Sequence, residues 1–259
     1  MKIVWCLYLG YCIFMHILGI RIDNLGKKEI LEKIEFFLDE EKFHQIATIN
    51  PEFILQAQKD CDFKNVINMC NLNVADGAGI GYAFLRFGKF LKTRLAGVDL
   101  LEEILKIANE RKLNIFLAIS KNGLSSYFEI KTVLEKKYPS LKIGGSDIEL
   151  SHQSSFISHQ NREDDDRLPI TDYDILFSNF GAPAQEKFIN SQKNAKLRLA
   201  MGVGGSFDFI TGKIVRAPIW MRAIGLEWLW RFAQEPKYRA KRIFNATIVF
   251  PIKILFSKK

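Results

Sequence analysis

Long apolar runs, paired cysteines and histidine clusters are all missing from this sequence. A membrane-spanning helix needs about 20 consecutive apolar residues. The two most apolar stretches, Met1 to Met15 and Phe250 to Phe256, both fall short. No small-x-small cleavage site closes the first one, because Tyr11-Cys12-Ile13-Phe14-Met15-His16 offers none, so a secretory signal is not expected. The four cysteines, Cys6, Cys12, Cys61 and Cys70, show no CxxC spacing. A zinc site and a disulfide framework are therefore not expected, and a reducing compartment fits. A dinucleotide fingerprint is also lacking: Gly77-Ala78-Gly79-Ile80-Gly81 puts Tyr82 where GxGxxG needs its third glycine. No internal repeat is visible.

What is present is an ordinary globular composition, 48% apolar and 25% charged over 259 residues, enough for one mid-sized α/β domain plus an appendage. The charge is unevenly placed. From Lys213 to the end, 11 Lys and Arg face two acids, Glu227 and Glu235, a surplus of nine. The first 212 residues hold 26 basic and 27 acidic groups. The body is neutral and the tail is cationic, which suits a polyanionic surface as partner, nucleic acid or anionic lipid.

Periodicity supplies the elements. Ile17 to Ile22 reads as an opening strand, and Asn24 as the cap of a helix carrying Ile30, Leu31, Ile34, Phe37 and Leu38. Gln45 to Ile49 reads as a buried strand ended by Asn50-Pro51, which starts another helix. Further strands are expected at Leu72 to Ala75, Asn114 to Ile119, Leu141 to Ile143, Tyr173 to Phe177 and Leu197 to Met201, with a long helix over Val98 to Arg111. Alternation of this kind predicts an α/β fold with a doubly wound, mostly parallel Rossmann-like sheet, followed by a C-terminal basic amphipathic helical appendage. The expected divisions are an apolar leader over 1–16, an α/β domain over 17–212 and a basic appendage over 213–259. The leader is expected to be surface-bound or the product of an upstream start codon rather than a span. Residues 146–172 are polar and irregular.

In open α/β sheets ligands sit beyond the carboxyl ends of the strands. Four segments fall there: Thr48 to Asn50, Asp76 to Gly81, Gly181 to Glu186 and Gly202 to Asp208. Asp76 with Gly77 puts a carboxylate before a helix start that welcomes phosphate, though an aspartate there is equally a helix cap. Gly181-Ala182-Pro183 is likewise an ordinary helix start. Gly202-Val203-Gly204-Gly205-Ser206-Phe207-Asp208 is a third glycine-rich turn, and three such turns on one sheet edge argue for a site. In the tail, Trp220, Trp228 and Trp230 with arginines at helical intervals suggest an interfacial helix, with Trp228 and Trp230 on different faces.

These segments together resemble the WecG/TagA/CpsF glycosyltransferase family from about Ile17 to Arg242. The motifs are Thr48-Ile49-Asn50, Ala75-Asp76-Gly77-Ala78-Gly79, Arg94-Leu95-Ala96-Gly97-Val98-Asp99, Gly181 to Lys187, Gly202 to Asp208, and Gly225 to Arg231 with Glu235-Pro236. The resemblance implies inverting, metal-independent transfer of an N-acetylhexosamine, N-acetylmannosamine first, from a UDP-sugar to a polyprenyl-diphosphate-linked N-acetylglucosamine. Capsule or lipopolysaccharide assembly with another UDP-sugar is the alternative. It implies Asp76 as base, with Thr48, Arg94 and Gln185 beside it in the chemistry. Asn50, Gly77, Gly181, Gly204, Gly205 and Asp208 would bind substrate, and Arg231, Arg239 and Arg242 would neutralise the departing UDP. No cofactor is implied. The anionic inner face of the cytoplasmic membrane would be a peripheral partner, nucleic acid would not, and homo-oligomerisation stays open. The polar 146–172 stretch and the residues beyond Arg242 depart from the family's pattern.

Other classes fit less. Asp164-Asp165-Asp166 has the letters of a metal-binding DxD pair, but it sits in a polar loop between Arg162 and Arg167 and reads as a solvated run. A nicotinamide oxidoreductase lacks its fingerprint. A basic membrane- or nucleic-acid-binding module would use the tail but leave the strand-end turns unexplained.

Overall fold

A computed structural model describes residues 14–149 and 172–257. Most of the leader, most of the irregular polar stretch and Asp164 to Asp166 lie outside the described residues.

The chain opens with a hairpin, β1 (Phe14–Ile17) and β2 (Ile20–Asp23), rather than the single strand expected over Ile17 to Ile22. It reverses at Leu18 and Gly19, whose φ values of 49° and 77° are those of a tight hairpin turn. Met15, Ile17, Ile20 and Ile22 are buried by this alternation.

Six strands follow in one all-parallel sheet: β3 (His44–Ile49), β4 (Leu72–Ala75), β5 (Asn114–Ser120), β6 (Lys142–Ile148), β7 (Ile175–Ser178) and β8 (Leu199–Gly202), in the order β4-β3-β8-β7-β5-β6. Successive side chains enter opposite layers. Ile115, Leu117 and Ile119 meet α1 (Lys27–Asp39), α5 (Gly97–Arg111) and α6 (Tyr127–Lys137), while Phe116 and Ala118 face the layer holding α7 (Ala184–Ser191). Helices on both faces of a parallel sheet make the fold doubly wound and Rossmann-like.

At the β3–β4 end the second layer is built from the hairpin, α2 (Pro51–Ala57), α3 (Cys61–Met69) and α4 (Ala78–Arg86). Asn50-Pro51 starts α2 as expected, and the Asn50 Oδ1 serves as its cap, accepting from the backbone N–H of Glu52 and Phe53 at 2.9 and 3.1 Å. Asn24 is not a cap. Its amide donates to the Phe90 carbonyl and its oxygen accepts from Lys92 N–H, so it fastens the loop after α4, while Gly26 caps α1 with Glu29 closing the first turn.

After α8 (Ser206–Ile210) the tail folds as α9 (Ile219–Ala223), α10 (Glu227–Gln234), α11 (Pro236–Phe244), a π turn (Asn245–Val249) and α12 (Phe250–Phe256). Among the described residues no helix is long and apolar enough to cross a membrane. The tail is anchored: Phe250 and Ile254 are fully buried in the same apolar cluster as α2, α4 and the hairpin.

Candidate active site

Asp76 is fixed from three sides. Its N–H donates to the Ile49 carbonyl at 2.8 Å, which extends the β3–β4 pairing by one residue. The Leu95 N–H then reaches back to the Ala75 carbonyl at 3.0 Å and brings Arg94 alongside. Gly77 follows with φ +82° and turns the chain into α4. Thr48 is buried one strand over, its hydroxyl against Gly97 at the start of α5.

The appendage closes over this strand end. Arg94 donates to the Arg222 carbonyl at 2.5 Å. Gly225, at φ +82°, lies so close that a Cβ there would stand 2.6 Å from Arg94 Nη1 and 3.1 Å from Ala78 Cβ. Only a glycine supplies both the left-handed backbone and the close approach. Arg216 grips Asp99 through two hydrogen bonds of 2.7 and 2.9 Å, with Glu227 3.9 Å away. Trp230 turns inward and donates from its indole to the Val215 carbonyl, while Trp228 stays exposed, so the two do use different faces.

Arg231 is the centre of the arrangement. Its guanidinium stacks on Phe209 at 4.4 Å from the ring centroid, and its Nε is buried with no hydrogen-bond partner. Burial, and then the neighbouring Arg239, push its pKa down to about 10, while Glu227 and Asp76 hold it up. Burial pushes the Asp76 carboxyl up to about 6, against the pull of Arg231 and Arg94 and with the help of Glu227. Asp76 is thus embedded in protein yet partly open to solvent. A carboxylate so placed is ionised at neutral pH and retains useful basicity.

The second glycine-rich group adjoins the first, because β8 lies next to β3. Gln185 braces it. Its Oε1 accepts from the N–H of both Gly181 and Gly204 at 3.0 Å, and its Nε2 donates to Glu186 Oε1 at 2.6 Å. Being 3% exposed, Gln185 reaches the turns and not open space. Glu186 below it is 1% exposed with Oε2 unpartnered, and burial pushes its carboxyl up to about 7. Past Gly205, Asp208 accepts from Ser125 Oγ at 2.8 Å. Burial raises the Asp208 pKa, while Ser125, Arg231 and Arg239 act to lower it. Arg231 therefore lies in the field of both Asp76 and Asp208.

Arg239 pairs with Glu235 at 2.7 Å, and Arg242 holds Glu52 of α2 with its Nε at 2.8 and 2.9 Å from the two carboxylate oxygens. Both also act through their charge on Arg231, so the three tail arginines lie in one another's field. Sequence reasoning assigned no role to Phe209, Arg216, Glu227 or Glu186. Glu186 lies in the Gly181 to Lys187 motif and Glu227 in the Gly225 to Arg231 motif, but only the fold shows what they face. Among the described residues no group of three or more His, Cys, Asp or Glu is arranged to hold a metal.

A parallel sheet whose strand ends gather a carboxylate, glycine turns and arginines has the makings of an enzyme that transfers a group from a phosphorylated donor. The profile of the glycosyl transferase WecG/TagA/CpsF family matches residues 15–259, and the chain belongs to that family of glycosyltransferases. It is 32% identical over 221 residues to the N-acetylglucosaminyldiphosphoundecaprenol N-acetyl-beta-D-mannosaminyltransferase of Bacillus subtilis (strain 168), covering 84% of this chain and 80% of that one. Proteins of the same name from Staphylococcus aureus strains MRSA252 and MW2 are 29% identical over 218 and 246 residues. The first match covers 83% of this chain and 82% of that protein, the second 94% and 92%.

Proposed function

We propose that the protein transfers an N-acetylhexosamine, N-acetylmannosamine first, from a UDP-sugar to a polyprenyl-diphosphate-linked N-acetylglucosamine, with inversion and without a metal. The observation that carries the reading is the approach of Arg94 and Arg231 to Asp76 at a strand end, in a chain whose relatives bear that transferase name. Asp76 takes the proton of the acceptor hydroxyl as its oxygen bonds to the anomeric carbon. The bond from that carbon to the UDP oxygen breaks on the opposite face. Charge then grows on the leaving diphosphate, and Arg231, with Arg239 and Arg242 behind it, answers it in a desolvated setting where guanidinium–phosphate bonds are strong. Thr48 and Asn50 border the sugar; Gly77, Gly181, Gly204, Gly205 and Asp208 border the nucleotide.

In this reading the body to Gly212 carries the sheet, and the appendage from Lys213 completes the site and meets the inner face of the cytoplasmic membrane. The test is a screen of UDP-sugars against a lipid-linked N-acetylglucosamine acceptor, following UDP release. Release that is fastest with UDP-N-acetylmannosamine and depends on the acceptor is expected. Acceptor-independent release, or none with any UDP-sugar, overturns the reading.

A further inference from the structure

Amphipathicity fails along the last turns of the chain. From Phe244 to Phe256 the backbone is helical through the end of α11, the π turn and α12, and it buries Phe250 and Ile254 against the body. The opposite face of such a helix is ordinarily polar. Here that face carries Phe244, Ile248, Ile252, Leu255 and Phe256, each 46–81% exposed and spaced as one helical stripe.

The stripe does not end at the tail. α12 packs on α4, and Arg86 of α4 donates to the Leu255 carbonyl at 3.1 Å. The outward positions of α4 are Tyr82 and Leu85, both exposed. Two helices far apart in the sequence thus present one apolar surface, larger than single scattered side chains account for. Its border is cationic, with Arg86 on α4 and Lys241 and Lys253 on the tail exposed.

We propose that this composite face, α4 of the catalytic body together with α12, seats on an anionic lipid leaflet. The choice of lipid over a protein rests on the proposed lipid-linked acceptor and on the cationic border, which suits interfacial helices. α4 begins two residues after Asp76, so the helix that leads away from the base is itself a lipid contact. The body, and not the tail alone, sets the site against the leaflet.

The test uses the full chain and vesicles of phosphatidylglycerol with phosphatidylethanolamine, read by sedimentation. Tyr82→Gln with Leu85→Gln, and separately Ile252→Gln with Phe256→Gln, should each weaken vesicle binding at least tenfold. Neither pair should change the thermal midpoint or UDP release with a short-chain, water-soluble acceptor analogue. Vesicle binding by the α4 pair equal to that of the unaltered chain overturns the proposal. So does a stable dimer in solution that the same substitutions dissociate, since a second copy then covers the face. Sedimentation needs no turnover, so a wrong donor or acceptor leaves this result readable.

Discussion

Arg231 stacks its guanidinium on the Phe209 ring at 4.4 Å while its Nε stays buried and unpaired. A desolvated arginine facing its target without a tight ion pair is preorganised for an anion, and the ring is what holds it there. Phe209→Leu keeps the apolar volume and removes the ring face. A cation–π contact of this kind is worth about 0.5–2 kcal/mol. The expected result is a roughly 2- to 30-fold fall in kcat/KM for the nucleotide donor with little change in acceptor KM, measured by UDP release. An unchanged kcat/KM removes Phe209 from this role.

Asp76→Asn keeps the shape and removes the basic oxygen. Turnover should fall by roughly 10²–10⁴-fold, the usual contribution of a general base, while donor binding by calorimetry survives. The carboxyl of the unaltered enzyme is pushed up to about 6 by burial and works only when ionised. Activity should therefore rise with pH through about 6 and level off above it. A profile flat from pH 5 to 8 would contradict this assignment.

Glu186 is also pushed up by burial, but its signature is one of stability and runs the opposite way with pH. Its carboxyl is held at about 7 in the fold against an ordinary 4.5, so the folded state keeps a proton that the unfolded chain has lost. Its contribution is most favourable below pH 4.5 and is lost as pH climbs from there to about 7, on the order of 3 kcal/mol in all. Urea unfolding at pH 5 and pH 7 should show a smaller drop for Glu186→Gln than for the unaltered protein. Equal drops would mean that Glu186 is not the group responsible.

The leaving charge is assigned to arginines, so EDTA should leave turnover largely intact. Complete loss on chelation, restored by Mn²⁺ or Mg²⁺, would return Asp164 to Asp166 to consideration.

The end of the chain has a structural role of its own. Phe250 is fully buried among α2, α4 and the hairpin. Phe250→Ala should cost about 3–5 kcal/mol of folding stability, the usual range for a buried phenylalanine. A denaturation midpoint that does not move would show that α12 is not docked. Removing the whole tail therefore strips core as well as charge, and point variants separate the two effects better.

Local signals were read correctly from the sequence. Asn50-Pro51 announces its helix because cap and helix are neighbours, and Leu72 to Ala75 is short, mostly apolar and bounded. Long-range bonds were not legible. Asn24 has the composition of a cap, yet its partners at Phe90 and Lys92 lie far along the chain. A strand was expected over Leu141 to Ile143, but β6 runs on to Ile148. A Cβ at Gly145 would fall 2.2 Å from the Leu117 carbonyl oxygen, so the glycine is what lets β5 and β6 approach. In the site, Asp76 and the tail arginines stood out by motif. Phe209 and Glu186 did not, because burial and neighbours from distant segments create their roles.

β4, the strand that delivers Asp76, lies at the rim of the sheet, and its outer side is occupied by side chains of the opening hairpin. Asp23 Oδ2 accepts from the Asn73 N–H at 2.7 Å, and the Asn73 amide donates to the Arg21 carbonyl at 2.9 Å, with Asn73 fully buried. Those bonds take the place a seventh strand would fill. A strand from a neighbouring molecule would have to evict them before it could pair there. Growth of the sheet from one molecule to the next is blocked on the side nearest Asp76, and self-association at that rim has to proceed through helices instead.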